Sequence, residues 1–455
     1  MTLGEIAKAC GGLYVGTEES KTLPFAGATM DSRQVEPGMM FIAIKGERVD
    51  GHNFIPQVYE KGASCVLCEN APEDPKGAYI QVSSTLEAIK QIAAYYRQTL
   101  TIPVVGISGS VGKTSTKEMI ASVLAQKYKV LKTAGNFNNE LGLPLTIFGI
   151  KPEHEVAVLE MGISDFGEMH RLATMANPDI CVITNIGLCH LENLGDRDGV
   201  LRAKTEMFDH MTKDGVAILN GDDDKLSLCE TVNGAPTIFY GKDGADGKEI
   251  YATEVVNLGF EGMEATIHTP CGDMRVKITI PGEHNVTNAL AATGVGLKLG
   301  LTLEEIKAGI ESAKTIAGRT NVIVHKGMHL IDDCYNANPI SMAAAIEVLA
   351  HAKGRTIAVL GDMGELGEDE VALHYGVGTK VGEKGIHTLF AAGTLALEYK
   401  KGAQDTNPDC RVYYFATREE MENVLKTYVQ EGDSILIKAS HFMDFPKVVD
   451  VLTQE

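Results

Sequence analysis

Apolar runs of strand length, several closed by glycine, alternate along this chain with stretches of helical period. In the middle of the chain VVGIS, KVLKTA, EVAVLEMG, DICVITNIG and GVAILNG read as strands, separated by helix-like segments such as Gly199 to Met211. That rhythm predicts a parallel sheet with helices on both faces. Before it, residues 1–83 show strand-like MMFIAIK, SCVLCE and AYIQVS with one helical stretch, IPQVYEKG, as in a small α/β unit. A helix-period segment, LEAIKQIAAYYRQTL, leads into Ile102-Pro103 and the central sheet. Between Glu249 and Ile280 the pattern turns to alternating strands with glycine turns, an antiparallel addition, followed by a helix from about Asn285 to Leu299 and another capped by Thr302. Near Ala317-Gly318-Arg319 the rhythm restarts, and TIAVLGDMG, HTLFAAG, VYYFAT and SILIKAS supply a further set of strands.

A chain of 455 residues is too long for one core and suits about three domains of ~150 residues. The predicted fold is α/β in three domains: a small α/β domain over 1–83, a central phosphate-loop parallel-sheet domain over 84–317, and a Rossmann-like domain over 318–455. A net charge of -20 disfavours a nucleic-acid partner, which needs a basic face, but leaves phosphorylated small substrates open. Nine cysteines, an odd number scattered along the chain, point to free thiols in a reducing compartment. Cys65 and Cys68 form the one close pair, and inside an apolar strand they read as buried thiols rather than zinc ligands. The N-terminus lacks a basic stretch followed by an apolar one, and nowhere do 18 apolar residues run together. A cytoplasmic protein with no membrane insertion is expected.

The most informative stretch is VVGISGSVGKTSTKE, Val104 to Glu118: an apolar strand, a glycine-rich turn, and a Lys-Thr pair opening a helix. Gly109 and Gly112 let backbone approach an anion, and the free N–H groups of the helix start, with Ser110, Val111 and Ser115, point at it. Lys113 would neutralise β- and γ-phosphates and Thr114 would hold Mg²⁺. The spacing is GxxGKT, without the earlier glycine of the commoner pattern. Because sites in such sheets lie at the carboxyl ends of strands, chemistry is expected there. Glu160 ends EVAVLE and offers a hard oxygen ligand suited to Mg²⁺, or a carboxylate satisfied by local N–H groups. His190 follows DICVITNIG, as a ligand or as a structural histidine. Lys204 lies mid-helix, where a solvated lysine is the default, and Asp222 to Asp224 read as a capped turn rather than a metal cluster. Asn136, Asn138 and Asn139 crowd AGNFNNELGLPLT and suit a polar substrate, unless they only shape a loop. Asn285 and Asn288 start a helix, with Asn285 a possible N-cap. LIDDCYNANP brings Asp332, Asp333, Tyr335, Asn336 and Asn338 past a strand, more polar chemistry than a turn needs.

Together these segments resemble the Mur ligase family over essentially the whole chain. The stretches that carry the likeness are MDSRQVEPGMMFIAIKGERVDGHNFI, GISGSVGKTSTKEM, TAGNFNNELGLPLT, LEMG, TNIGLCHLENLG, AKTEMF, GEHNVTNALAA, DDCYNANPISM and LGDMGELG. The asparagine-rich segment and the DDCYNANP loop favour the member that joins D-alanyl-D-alanine to UDP-N-acetylmuramoyl-tripeptide. The resemblance implies that Lys113 and Thr114 bind ATP phosphates and one Mg²⁺, and that Glu160 and His190 hold a second Mg²⁺ with a Lys204 carbamylated by CO₂. It further implies that Asn285 and Asn288 lie at the nucleotide, that Arg319 reaches the γ-phosphate, and that Asp333 and Asn336 close on ATP. Ser32, Arg33, Asp50 and His52 fall where the family holds the UDP-sugar; from the residues alone they read as turns. The expected partners are the UDP-tripeptide and D-Ala-D-Ala, met by a monomer. Two departures stand out: Ser108 where threonine is usual, and Lys438-Ala439-Ser440-His441 where Lys-Gly-Ser-Arg is usual. The alternatives are another amide ligase of the superfamily, such as a sister Mur enzyme or a folylpolyglutamate synthase, and a phosphate-loop ATPase switch or kinase.

Overall fold

The computed structural model describes residues 1–242, 244 and 247–454. Three main sheets divide the chain, and each is built where the apolar runs lie. The first has five strands in the order Leu13–Val15, Ala78–Gln81, Cys65–Cys68, Met40–Ile42, Ala28–Thr29, parallel except for Leu13–Val15. This first domain carries more helix than its pattern suggested: Leu3–Ala9 and Glu18–Lys21 join the expected Ile55–Glu60. The helix Leu3–Ala9 starts at a capping box in which Thr2 and Glu5 satisfy each other's backbone N–H.

The central sheet has nine strands. Six are parallel, in the order Ile238–Gly241, Val216–Asn220, Ile180–Ile183, Val104–Ser108, Val156–Glu160, Val130–Lys132. Ile250–Asn257 continues them in parallel, and Met263–Thr269 and Gly272–Ile278 add the antiparallel edge read from the sequence. Val104–Ser108 is buried along its length, as a central strand covered on both faces must be. Its two neighbours come from opposite directions of chain winding, Val156–Glu160 on one side and Ile180–Ile183 on the other. A crevice therefore opens beyond its carboxyl end, at the switch point where ligands bind in such sheets. The segment read as a helix from Gly199 to Met211 is instead a helix Arg197–Thr205 followed by a 3₁₀ turn Glu206–His210.

The third domain is a six-stranded sheet, Asn321–His325, Met328–Asp332, Asp433–Lys438, Arg355–Gly361, Thr388–Ala392, Arg411–Phe415, parallel apart from the first. Asn321–His325 is a hairpin strand with no clear alternation, closed by Lys326 and Gly327, both at positive φ. The third domain is docked on the central one: Phe260 stacks on His329 at 5.0 Å between ring centres, and Gly187 leaves room for the Ile340 side chain, which a Cβ there would meet at 2.5 Å. Among the described residues, no helix is long and apolar enough to cross a membrane.

Candidate active site

The loop after Val104–Ser108 is held in an anion-binding shape by residues of the neighbouring strand end. Gly109 has φ +145°, and a Cβ there would lie 1.9 Å from Thr184 Oγ1. Only glycine fits. Thr184 donates to the Val111 carbonyl at 2.6 Å, while Asn185 accepts from Val111 N–H at 3.0 Å and donates back to its carbonyl. Gly112, at φ +80°, then caps the helix Lys113–Leu124 without a side-chain partner, leaving first-turn N–H groups free to face an anion. Lys113 curls over the loop and donates to the Gly109 carbonyl at 2.8 Å. Burial holds its amine below the ordinary lysine value against the opposing pull of Glu160.

Glu160 sits at the tip of the next strand, 1% exposed. One of its oxygens accepts from Thr114 Oγ1 at 3.1 Å and from Asn138 Nδ2 at 2.9 Å. The other, Oε2, is buried and has no hydrogen-bond partner; Lys117 Nζ lies 3.6 Å away and donates instead to the Thr133 carbonyl. A buried carboxylate oxygen left open beside a threonine hydroxyl and an amide is a donor set that suits Mg²⁺, an all-oxygen binder that brings its own waters. The alternative, a carboxylate satisfied by local N–H groups, is not what the structure shows, because the hydrogen bonds to its side chain come from Thr114 and Asn138 side chains.

Lys204 is the least ordinary lysine in the chain. The default of a solvated helix lysine fails: it is 1% exposed, the groups that act on it are the Lys113 ammonium and the Cys189 side chain, and among the described residues it forms no ion pair. Burial, and then repulsion from Lys113, push its amine down to about 8. Glu206 caps Gly167 and His170 N–H groups and does not approach Lys204, as its helix position implied. The segment that carries His190 is tied to the phosphate loop through Cys189 Sγ, 3.1 Å from Ser110 Oγ, and Gly187 N–H, 2.8 Å from the same hydroxyl. His190 itself has φ +51°, and its Nδ1 lies 2.7 Å from Glu365 Oε2 of the third domain.

Asn285 is not an N-cap; that position belongs to Glu283. Asn285 donates to the Pro281 carbonyl and accepts from Asn288, whose Oδ1 in turn accepts from Thr116 of the phosphate-loop helix at 2.9 Å. Arg319 arrives from the domain junction: its guanidinium lies 4.0 Å above the Tyr335 ring and Nη2 reaches Thr114 Oγ1 at 3.4 Å. A cleft between the two domains is lined by Ser115, Asn285, Lys314, Thr315, Arg319 and Thr320. Asp333 accepts from Thr320 N–H and pairs with Lys438 at 2.6 Å, and Lys438 also donates to the Asn336 carbonyl. These two thus shape the loop under Tyr335, with the Asn336 amide oxygen turned to Ala337 N–H.

Of the three loop asparagines, Asn138 donates to Glu160. Asn139 accepts from the Leu141 and Gly142 N–H groups in the turn that leads into the helix Gly142–Phe148, and Asn136 is exposed. In the first domain Arg33 pairs with Asp31, Lys61 donates to the Ser32 carbonyl, and Asp50 bonds His52, whose other ring nitrogen accepts from Glu69 N–H. Among the described residues none of the four hydrogen-bonds to the central domain. Asp222 to Asp224 form the expected turn, with Asp223 accepting from Lys225 and Leu226 N–H and Asp224 paired to Arg197. Cys65 and Cys68 are fully buried, and burial pushes their thiols up to about 12 and about 11. Sequence reasoning missed Lys117, Thr184, Asn185 and, as a site residue, Tyr335. Lys117 had a signal, one helical turn beyond Lys113 on the same face.

A nucleotide-type anion site at the switch point of a parallel sheet, crossed by an arginine from a docked third domain, defines a phosphate-loop enzyme that works between domains. Comparison narrows the class. Residues 24–97 match the Mur ligase family catalytic domain, residues 107–296 the Mur ligase middle domain, and residues 318–441 the Mur ligase glutamate ligase domain. The chain is 36% identical to the UDP-N-acetylmuramoyl-tripeptide--D-alanyl-D-alanine ligase of Bacillus subtilis, with 100% of this chain and 98% of that one covered. It is 34% identical to the Escherichia coli protein of the same name, at 100% and 98% coverage. Among solved structures it resembles MurF of Acinetobacter baumannii, with TM-score 0.89 and 34% identity over 100% of this chain and 99% of that one. MurF of Thermotoga maritima in complex with ADP gives TM-score 0.82 and 29% identity over 94% and 97%. The chain belongs to the Mur ligase family.

Proposed function

We propose that this chain is an ATP-dependent ligase that joins D-alanyl-D-alanine to UDP-N-acetylmuramoyl-tripeptide, forming the pentapeptide precursor of peptidoglycan. End-to-end likeness to ligases of that name supports the substrate pair, and the observation that carries the chemistry is Arg319, brought from the domain junction onto Thr114 of the phosphate loop. The peptide's terminal carboxylate attacks the γ-phosphate of ATP to give an acyl phosphate and ADP. The unprotonated amine of D-Ala-D-Ala then displaces phosphate and forms the amide. Lys113 and Arg319 oppose the negative charge that gathers as two anions meet, which is where such enzymes lower the barrier most. The docked third domain aligns the reactants and keeps water from the acyl phosphate.

Thr114 and Glu160 would hold one Mg²⁺, and Glu160, His190 and Lys204 a second; bound there, the ions would supply Lewis-acid neutralisation of the phosphate oxygens. Lys204 fits this role as a carbamate. A buried ammonium repelled by Lys113 is unfavourable, and conversion by CO₂ to an anion would remove the repulsion and provide oxygen ligands. Ser32, Arg33, Asp50 and His52 are proposed to bind the UDP-sugar side, with Asp50 and His52 acting through the loop they brace. Domain limits near 83/84 and 317/318, a monomeric state and a cytoplasmic location complete the reading.

The test is mass spectrometry of the product after incubation with UDP-N-acetylmuramoyl-tripeptide, ATP, Mg²⁺ and D-Ala-D-Ala. The expected product is the pentapeptide, with ADP and phosphate released only when both carboxylate and amine are present. Hydrolysis of ATP with neither substrate, or a stable phosphorylated product, would instead mark an ATPase switch or a kinase.

A further inference from the structure

Glu365 lies in the third domain, in the loop after Arg355–Gly361, and none of the roles above involves it. Its carboxylate nevertheless crosses to the central domain and sits 2.7 Å from His190 Nδ1. Both residues are non-glycine residues in left-handed backbone, His190 at φ +51° and Glu365 at φ +60°. Such conformations are unfavourable for residues that carry a Cβ and persist where surrounding contacts enforce them. Here the enforcement is visible. Met363 N–H donates to His374 Nε2 and Gly364 N–H to Ser440 Oγ, so the residues leading into Glu365 are pinned from two sides. On the other side the His190 carbonyl accepts from Asn193 and Leu194 N–H, while Cys189 ties the segment to Ser110.

The chemical consequence follows from the two nitrogens of imidazole. A carboxylate at Nδ1 fixes the proton there and leaves the Nε2 lone pair open, the form in which histidine coordinates a cation. We infer that Glu365 is a positioning residue that sets the tautomer and aim of His190 from across the domain junction, so that the cation ligand is formed correctly only when the third domain is docked. This rests on the proposed role of His190 as a Mg²⁺ ligand. It gives the third domain a task besides carrying Arg319: docking itself prepares the cation site.

The test uses the full chain labelled with ¹⁵N-histidine, with the His190 signals identified by their loss in His190→Gln. In the unsubstituted protein Nδ1 should carry the proton and Nε2 should be bare, and Mg²⁺ with ADP should move the Nε2 signal. In Glu365→Ala the two tautomers should mix, and the Mg²⁺ concentration giving half-maximal ligation should rise by ~10-fold or more, the range found when such supporting partners are removed. Glu365→Gln, whose amide oxygen still accepts from Nδ1–H, should restore the tautomer and most of the Mg²⁺ response. Unchanged His190 signals in Glu365→Ala overturn the inference, even if activity falls, because the contact would then be only a latch between domains. A wild-type protein that shows the stated tautomer yet forms no amide would count against the proposed function and not against the pairing.

Discussion

Tyr335 should control how well Arg319 serves the γ-phosphate, and the structure allows the size of that control to be worked out. Two contacts fix the guanidinium. One is the bond to Thr114 at 3.4 Å, at the long end of what counts as a hydrogen bond; the other is the Tyr335 ring 4.0 Å beneath it. Both residues are half-buried, which places the cation–π contact between the exposed and desolvated limits, at about 1–2 kcal/mol. Since ~1.4 kcal/mol is a factor of ten, Tyr335→Leu should lower kcat/KM for ATP by ~5- to 30-fold. Tyr335→Phe keeps the ring and should stay near wild type. Arg319→Ala removes a charge that develops its value in the transition state and should cost ~100-fold or more. Phosphate release dependent on both substrates is the assay, run on the two single variants and on Tyr335→Leu with Arg319→Ala. The double variant should be no worse than Arg319→Ala alone, because the tyrosine would act only through the arginine. Full additivity, or wild-type kinetics in Tyr335→Leu, would refute the reasoning.

Other outcomes follow from single contacts. Lys113→Ala should keep its thermal unfolding profile yet lose ~100-fold or more in kcat, as a charge-neutralising group does, and near-normal turnover would remove the phosphate-loop assignment. Lys204→Ala should be inactive and partly recovered by acetate, while ¹³CO₂ should give a carbamate signal in the wild type that the variant lacks; absence of both defeats the carbamate. Burial holds His374 below its ordinary value, and its Nε2 accepts from Met363 N–H, so the folded state prefers the neutral ring. Its contribution is therefore complete above about 6.5, the value in the unfolded chain, and falls as pH drops through that value toward the lower folded one, a loss that melting curves of His374→Gln should not show. His441 is exposed and meets Tyr335 edge-on at 6.0 Å between ring centres, so His441→Arg should leave KM for D-Ala-D-Ala and for the UDP-tripeptide unchanged; a lowered KM for either in the variant would mark a substrate carboxylate contact there.

What was legible in the sequence was what local chemistry dictates. Gly109, Gly112, Lys113 and Thr114 announce an anion site because strand, turn and helix start are adjacent in the chain, and Thr302 caps its helix through the Thr-x-x-Glu signature that also marks Thr2 and was overlooked there. The hairpin Asn321–Asp332 was missed because its two-residue turn is Lys-Gly, with Lys326 forced to φ +48°, where Asn-Gly would have signalled it. Tertiary contacts left no periodic trace. Nothing near Thr184 or Asn185 says that they hold a loop more than 70 residues away, nothing near Tyr335 says that its ring lies under Arg319, and Glu365 does not reveal its histidine until two sheets are docked.

The same contacts explain how a chain of net charge -20 makes a receptor for a polyphosphate. Lys113, Lys204 and Arg319 converge on one loop, with Glu160 the carboxylate that reaches it, and burial alone would push both lysines toward neutrality. Under the proposed carbamylation an anion at Lys204 would relieve Lys113, while a guanidinium, as a side-chain type, is not deprotonated in proteins. Arg319 is the cation that arrives from the domain junction, so in the proposed reaction the positive charge at the phosphate would be complete only with the third domain in place. In the proposed reaction, docking of the third domain would then both complete the charge and shield an acyl phosphate from water.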